Sequence, residues 1–396
     1  MRRRRALPAP VLACAVALVA LPGALAGASA DPGITPGSIH LGTTSPLTGP
    51  GAAVARGARA YFAHVSARGG VLGRRLELTI ADDGSDPAET VDVTRRLVEE
   101  DEVFAIVSPA GTEQSLAARG YLNSAKVPQL FTTSGAATWG RDRRTFPWSI
   151  GFQPNAQAEG WIYGRYVART LARSKVAVLY EDGVDGRDLL RGLRSGLAGS
   201  ASRVVAEDSF EPTATSVHKD VARLRASRAD VLAVFATSRF ATRAYASLDR
   251  LRWKPRVLVG AQAVSASGTP RGSISLAFLK DPADPQWRDD PGMRLYRTLM
   301  KRYARGANAR DVQHAHGMAV AYETVSLLDR LGASPTRAKL MARARSIISA
   351  GNPFLLPGVT VRTSASDGFP VEQGRLRRFG GRRWVSFGGL WSPATS

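Results

Sequence analysis

The sequence is poor in cysteine and in long apolar runs. Its single cysteine is Cys14, among the first 30 of 396 residues. If those residues are removed, the mature chain has neither disulfides nor a thiolate nucleophile, which is compatible with an oxidising compartment. Beyond the N-terminus no apolar run reaches the roughly 18 residues of a membrane helix, so we expect the exported chain to be soluble.

Motifs of nucleotide enzymes and of metal sites are also missing. Neither GxGxxG nor GxxxxGK[ST] follows a predicted strand. Of the five histidines, His314 and His316 lie two residues apart on a predicted helix and point to different faces. No carboxylate or cysteine is spaced to complete a metal site with them. We therefore expect no enzymatic activity, no metal and no cofactor.

The N-terminus has the pattern of a secretory signal peptide. Arginines occupy positions 2–5, residues 11–21 are apolar, and Ala28, Ser29 and Ala30 form a small-residue cleavage site. The pattern predicts a signal peptide over residues 1–30, cleavage after Ala30 and a periplasmic protein. An uncleaved N-terminal anchor is the alternative.

The chain is strongly basic, with a formal net charge of +21. Loss of the four N-terminal arginines takes Lys+Arg from 54 to 50 against 33 Asp+Glu, a mature charge of +17. The arginines are scattered through predicted helices near acidic residues, without interleaved aromatics. This pattern favours a solvated basic surface over a nucleic-acid groove, and the charge is expected to help attract anionic solutes.

About 365 mature residues exceed one ordinary core and favour two domains. Apolar runs alternate with amphipathic segments in each half. The first half has predicted strands at 38–47, 75–81, 103–108 and 129–133 and helices at 54–68, 87–100 and 114–124. The second has strands at 175–180, 203–210, 230–236 and 256–260 and helices at 158–171, 186–197, 217–226 and 240–251. This alternation predicts an α/β fold with parallel sheets covered on both faces.

Several strings resemble one protein family in their order and spacing. They are LAFLKDPADPQWRDDPG at 276–292, GGVLGRRLELTIADDGSDP at 69–87, YLNSAKVPQLFTTSGAATWG at 121–140 and FPWSIGFQPN at 146–155. Together they resemble extracytoplasmic solute-binding proteins of ABC importers, of the branched-chain amino acid (Leu/Ile/Val) type.

The resemblance implies a type I periplasmic-binding fold, in which two Rossmann-like α/β lobes are joined by a three-strand hinge. The crossovers are expected near residues 152–156, 265–272 and 353–358. Lobe 1 would then comprise residues 31–154 plus 272–355, and lobe 2 residues 155–271 plus 356–396. Solute would lie in the cleft between them.

Two loops of lobe 1 are candidates for ligand contact. Ligands of open α/β sheets collect at the carboxyl ends of the strands, where helix N-termini suit a carboxylate. Gly111 and Thr112 follow the third predicted strand, and Thr133, Ser134 and Ala136 follow the fourth. The family resemblance implies that these loops receive the ligand carboxylate. Thr112 and Ser134 acting only as helix N-caps is the alternative.

Selectivity is expected from the other lobe. The resemblance implies an acidic partner for a ligand ammonium at the position of Gln262, which supplies no negative charge. Asp185 either replaces that acid or is a solvated loop residue or N-cap. The resemblance implies a bulkier contact residue at the position of Thr237, so this smaller side chain is expected to widen the cleft. His316 either donates to a solute carboxylate or is a buried, hydrogen-bonded histidine.

These features predict capture of a small carboxylate-bearing solute, with an organic or aromatic acid favoured. Solute would favour the closed lobes and so present a composite surface to an ABC permease of the inner membrane. A branched-chain amino acid or amide ligand is the alternative for the solute. A sensor that delivers solute to a receptor is the alternative for the role. A monomer is expected in either case.

Overall fold

The computed structural model describes residues 31–393. The expected signal peptide, residues 1–30, lies outside this range. Within the described residues the strands form a five-stranded sheet, a seven-stranded sheet and a two-stranded ribbon. No helix in that part of the chain is both long enough and apolar enough to cross a membrane.

The first sheet is parallel and has the order β2-β1-β3-β4-β5. Its strands are β1 (Ser38–Thr44), β2 (Arg75–Ala81), β3 (Ala105–Val107), β4 (Gln129–Thr132) and β5 (Ser149–Gly151). Strands β3 and β4 are buried along their whole length, as expected for a parallel sheet covered on both faces.

Helices from two stretches of the chain cover this sheet and complete the first lobe. They are α1 (Gly49–Ser66), α2 (Pro87–Glu99), α3 (Thr112–Ser124), α4 (Thr138–Arg141), α9 (Pro291–Tyr303), α10 (Val312–Asp329) and α11 (Arg337–Ala344). Helix α10 packs against α1 so closely that a Cβ on Gly57 would lie 2.2 Å from the carbonyl oxygen of His314.

The second sheet has the order β14-β13-β10-β9-β8-β6-β7. Its parallel strands are β6 (Lys175–Glu181), β7 (Arg203–Phe210), β8 (Val231–Phe235), β9 (Arg256–Val259) and β10 (Ile274–Ala277). Strands β13 (Gly374–Phe379) and β14 (Trp384–Trp391) add an antiparallel edge. Helices α5 (Ala156–Thr170), α6 (Val184–Leu197), α7 (His218–Ala226) and α8 (Ser238–Leu251) complete the second lobe.

Helices α5 and α6 touch backbone to backbone through glycines. A Cβ on any of these glycines would lie 2.0 to 2.4 Å from a backbone oxygen of the facing helix. They are Gly160, Gly164, Gly192 and Gly196. This packing fixes the first turn of α6, which faces the first lobe.

The chain passes between the lobes three times. The first passage lies between β5 and α5. The second follows β10, where Leu279 forms a bridge with Leu355. The third lies between Val371, which is buried in the first core, and β13. The ribbon of β11 (Ile348–Ser349) and β12 (Val361–Arg362) precedes it.

Two expected boundaries therefore differ from the structure. Residues 274–277 were expected in lobe 1 but form β10 of the second sheet. Residues 356–371 were expected in lobe 2, yet Leu356, Val361 and Val371 belong to the core of the first lobe. Each segment contributes buried apolar residues, and apolar character alone does not indicate which of two cores a residue joins.

Consecutive residues at the second passage are anchored to different lobes. Nζ of Lys280 lies 2.8 Å from a carboxylate oxygen of Asp290, the residue that caps α9 in the first lobe. The carboxylate of Asp281 lies 3.7 Å from the guanidinium of Arg377 on β13 in the second lobe. All four side chains are largely shielded from solvent.

Candidate functional site

Two loops of the first lobe lie side by side because β3 and β4 are parallel neighbours. Gly111 precedes α3 with a φ of +88°, a left-handed conformation that favours glycine. A bridge joins Ala110 to Thr133, whose hydroxyl lies 3.1 Å from that of Ser108. The loops thus bring Thr112 and Ser134 to the same edge of the sheet, as the sequence predicts.

A chain of hydrogen bonds runs through these loops. Trp139 Nε1 donates to Ser134 Oγ at 2.8 Å, and the N–H of Ala136 donates to the same oxygen at 3.2 Å. With Ser134 accepting twice, its own hydrogen points to Thr112 Oγ1, 2.6 Å away. Thr112 in turn donates to Oδ2 of Asp185 at 2.5 Å. The chain of donors therefore ends on a carboxylate of the second lobe.

Asp185 lies in the first turn of α6 and is partly buried between the lobes. Its Oδ1 atom is shielded from solvent and has no hydrogen-bond partner within residues 31–393. Burial raises the pKa of Asp185 to about 6, against the lowering effect of the Thr112 hydrogen bond. The nearby charges of Asp188 and Glu113 raise this pKa further.

Further hydrogen bonds join the lobes beside Asp185. Oδ2 of Asp188 accepts from the N–H of Ala137 in the first lobe at 2.9 Å, while its Oδ1 accepts from Gln157 Nε2 of its own lobe at 2.8 Å and lies 3.4 Å from the guanidinium of Arg191. In the opposite direction, Glu113 of α3 accepts from the N–H of Val184 at 3.3 Å. The structure thus has the two lobes in direct contact through carboxylates.

More carboxylates line the second-lobe side. Glu181 accepts from the N–H of Thr237 at 2.9 Å, and its charge also raises the pKa of Asp185. Glu159 accepts from the N–H of Ala261 and from the Tyr163 hydroxyl, both at 2.7 Å. Burial raises the pKa of Glu159 to about 7. The cleft is therefore acidic although the chain as a whole is basic.

The remaining predicted residues of the second lobe lie at the ends of β8 and β9. Thr237 is the N-cap residue of α8. Gln262 lies in a short 3₁₀ turn, and its carbonyl accepts from the Ser238 hydroxyl at 3.2 Å. Neither side chain has a hydrogen bond to Thr112, Ser134 or Asp185 among the described residues.

His316 of α10 packs against Phe152 and Phe278, which lie at the first and second passages of the chain. Its ring stacks on Phe152 and meets Phe278 edge-on, with centroids 5.9 and 5.4 Å apart. The Nε2 atom is buried and has no partner in the described part of the chain. Burial lowers the pKa of His316 to about 4, so the ring is neutral at pH 7.

Sequence reasoning missed Asp188, Glu113, Glu181 and Trp139. A signal for Asp188 was present, since residues three apart on a helix share a face and Asp185 was already a candidate. Among residues 31–393, no group of three or more His, Cys, Asp or Glu side chains is placed to hold a metal ion.

Comparison with known proteins identifies the family to which this architecture belongs. The sequence profile of the family described as "Periplasmic binding protein" matches residues 38–382. The chain belongs to the periplasmic binding protein family. An amino acid binding protein of Pseudomonas aeruginosa is 25% identical over 49% of this chain and 52% of its own length. The chain thus matches about half the length of this curated relative.

Solved structures of the family share the fold over most of the chain. A fatty acid ABC transporter substrate-binding protein from Thermomonospora curvata has a TM-score of 0.78 and 19% identity, over 92% of this chain and 94% of that one. A branched chain amino acid ABC transporter from Thermus thermophilus with bound valine also has a TM-score of 0.78, with 17% identity over 90% and 98%. The expected type I fold and the resemblance to the Leu/Ile/Val-binding type are confirmed. Members of this family bind small-molecule solutes, work with ABC transporters and are not enzymes.

Proposed function

We propose that this periplasmic binding protein is the extracytoplasmic solute-binding component of an ABC importer. Solute is held in the cleft between Thr112 and Ser134 on one side and Asp185 on the other. The meeting of Thr112 with Asp185 carries this proposal, because a solute seated there touches both lobes and so favours their closure. The closing bodies are residues 31–154 with 278–371, and residues 155–277 with 372–393.

The solute presents a positively charged or N–H-bearing nitrogen to Asp185. The free Oδ1 of Asp185 supports this, together with the surrounding charges of Asp188, Glu113 and Glu181. At about 4 Å and an effective dielectric constant near 20, two unit charges interact by about 4 kcal/mol. An interaction of this size stabilises an ammonium bound beside Asp185 and destabilises a carboxylate bound there. Surface arginines more than about 8 Å away are screened by physiological salt.

A nitrogen beside Asp185 favours the amino acid and amide class over the organic or aromatic acid that the sequence predicts. A simple organic or aromatic acid, which has a carboxylate and no ammonium, is the second candidate. The donors that converge on Thr112 support it, because hydroxyl donors in series suit an anionic oxygen. The fatty acid transporter protein and the valine-bound protein described above are consistent with a fold that accepts either class.

A thermal-shift screen of residues 31–396 tests the solute class. The panel contains amino acids, amines, amides, ureas, aliphatic acids and aromatic acids. A solute at about 100 times its dissociation constant stabilises the fold by about 2.7 kcal/mol, a shift of a few degrees. Shifts with ammonium compounds and not with simple acids are expected. Shifts with simple acids alone would overturn the proposed class.

We further propose export with cleavage after Ala30, a monomeric mature protein and delivery to an inner-membrane permease. Mass spectrometry of the exported protein tests the N-terminus, and light scattering tests the oligomeric state. Uptake of bound solute into proteoliposomes that contain a candidate permease distinguishes an importer from a sensor. Solute-dependent binding to a receptor domain without uptake would favour the sensor.

A further inference from the structure

The chain's own carboxylates occupy donors on the first-lobe wall of the cleft. The Thr112 hydroxyl donates to Asp185, and the N–H of Ala137 donates to Asp188. The neighbouring N–H of Ala136 is taken by Ser134, whose hydroxyl is directed to Thr112. Aspartates of the second lobe thus take hydrogen bonds that a solute carboxylate would otherwise accept.

Both aspartates are held in place by their helix. Asp185 and Asp188 are three residues apart on α6 and so share one face. Contact through the glycines of α5 and α6 fixes the helix, and Gln157 of α5 donates to Asp188. The carboxylates therefore reach the first lobe as a preorganised pair.

This arrangement disfavours a carboxylate on the solute. An entering carboxylate would have to displace Asp185 from Thr112 and lie beside the charge of Asp185 and that of Asp188, which Arg191 offsets only from the exposed side of α6. Hydrogen bonds gained by the solute would only replace bonds already made, so they add little net free energy. An ammonium group gains a new hydrogen bond, because Oδ1 of Asp185 is buried and unpaired within the described residues.

We propose that Asp185 and Asp188 stand in for a solute carboxylate, and that the solute is a small organic amine without a carboxylate group. This inference rests on the proposed function and narrows its solute from any compound with a positively charged or N–H-bearing nitrogen to amines without a carboxylate. Asp185 accepts from the ammonium. Asp188 keeps the N–H of Ala137 engaged and rejects an α-carboxylate.

Calorimetric titration with three matched compounds tests the inference. Leucine carries both groups, isopentylamine is leucine without its carboxylate, and isocaproate is leucine without its amine. The wild-type protein is expected to bind isopentylamine at least about tenfold more tightly than leucine, and isocaproate more weakly than either. Asp185→Asn should weaken isopentylamine binding at least about tenfold, because the charge is lost.

Asp188→Ala gives a reciprocal test, because it frees the N–H of Ala137 and removes one negative charge. The preference for isopentylamine over leucine should fall at least about tenfold in this variant. Asp220→Ala is the matched control, since Asp220 pairs with Arg223 of its own helix. That variant should keep the wild-type preference. If Asp188→Ala does not fold, Asp188→Asn removes the charge with little change of shape.

The outcomes distinguish failure of this inference from failure of the proposed function. Equal binding of leucine and isopentylamine, or tighter binding of leucine, would overturn the inference and leave the proposed function standing. An unchanged preference in both Asp188 variants would also overturn it. Binding of isocaproate with no binding of either ammonium compound would overturn the inference and the proposed solute class together.

Discussion

The hydroxyl of Thr112 in the first lobe donates a 2.5 Å hydrogen bond to the carboxylate of Asp185 in the second lobe. One carboxylate therefore serves two purposes. It joins the closed lobes through Oδ2, and through Oδ1 it offers an unpaired negative charge to solute. The hydrogen bond between the lobes and the charge offered to solute both depend on the ionisation of Asp185. Burial raises the pKa of this carboxyl from 3.8 to about 6.

Asp185→Asn is expected to flatten the pH dependence of stability. Because the pKa of Asp185 is higher in the folded protein, its contribution is fully present below pH 3.8 and is lost as the pH rises through about 6. The loss is at most about 3 kcal/mol. Asp188, Glu113 and Glu181 lie near residue 185 in the wild type and in the variant alike, so the comparison isolates the ionisation of Asp185.

Urea unfolding at about pH 4.5 and about pH 7.5 measures this difference. The variant should gain stability relative to the wild type at the higher pH. Asp220→Asn removes a second-lobe aspartate that pairs with Arg223 and should follow the wild type. Equal pH dependence of wild type and Asp185→Asn would contradict the assignment of the raised pKa.

Tyr163→Phe is expected to destabilise the second lobe. The Tyr163 hydroxyl lies 2.7 Å from the Val259 carbonyl and accepts from the N–H of Leu276 at 3.0 Å. Its removal leaves the buried N–H of Leu276 without this acceptor, and Glu159 or the Val259 carbonyl without this donor, at about 1–3 kcal/mol each. Urea unfolding checks this loss, and Tyr180→Phe is the control from the same lobe. A change below about 0.5 kcal/mol would show that the backbone groups find other partners.

Gly192→Ala is expected to weaken the protein and its solute binding together. The new Cβ would lie 2.0 Å from the carbonyl oxygen of Gln157, so α6 must move away from α5. A loss of more than about 2 kcal/mol is expected from such overpacking. Gly120→Ala is the matched control, because that helical glycine has no atom within 4 Å of the new Cβ. It should stabilise by about 0.5–1 kcal/mol.

Denaturant midpoints of the two glycine variants give the comparison directly. Calorimetric titration of each variant then reports whether the position of α6 affects the site. Similar stability of Gly192→Ala and the wild type would mean that the α5–α6 contact is looser than the structure indicates.

His316→Leu is expected to protect the fold in mild acid. The pKa of His316 is lowered to about 4 by burial, against an ordinary value of 6.5. The unfolded chain therefore takes up the proton first, and stability is lost as the pH falls from 6.5 through about 4. Thermal unfolding between these limits should show a smaller loss in the variant. His40→Gln, at a half-exposed position, should show the wild-type loss.

The α/β architecture and the first-lobe loops could be predicted from the sequence. Apolar runs alternating with amphipathic segments indicate parallel sheets, and neighbouring parallel strands bring their carboxyl ends together. Thr112 and Ser134 lie side by side for that reason. These features depend on local pattern and on one topological rule, both of which a single sequence contains.

The character of the cleft could not be predicted in the same way. Composition counts charges without their positions, so a chain of net charge +21 gave no sign of the acids around Asp185. The contact of Thr112 with Asp185 depends on how two lobes face each other, which neither segment encodes alone. The crossovers expected near 265–272 and 353–358 lie at 277–280 and 371–374 in the structure, because apolar residues in these segments fit either core.

Lys280 and Asp281 give the molecule a pivot. Since adjacent residues are tied to opposite lobes, rotation at this passage falls on the few backbone bonds between them, while the other two passages turn with it. A small torsion there becomes a large displacement at the mouth of the cleft, because that displacement grows with distance from the axis. A rotation of this kind would leave both ion pairs intact, because each pair ties its residue to one lobe only.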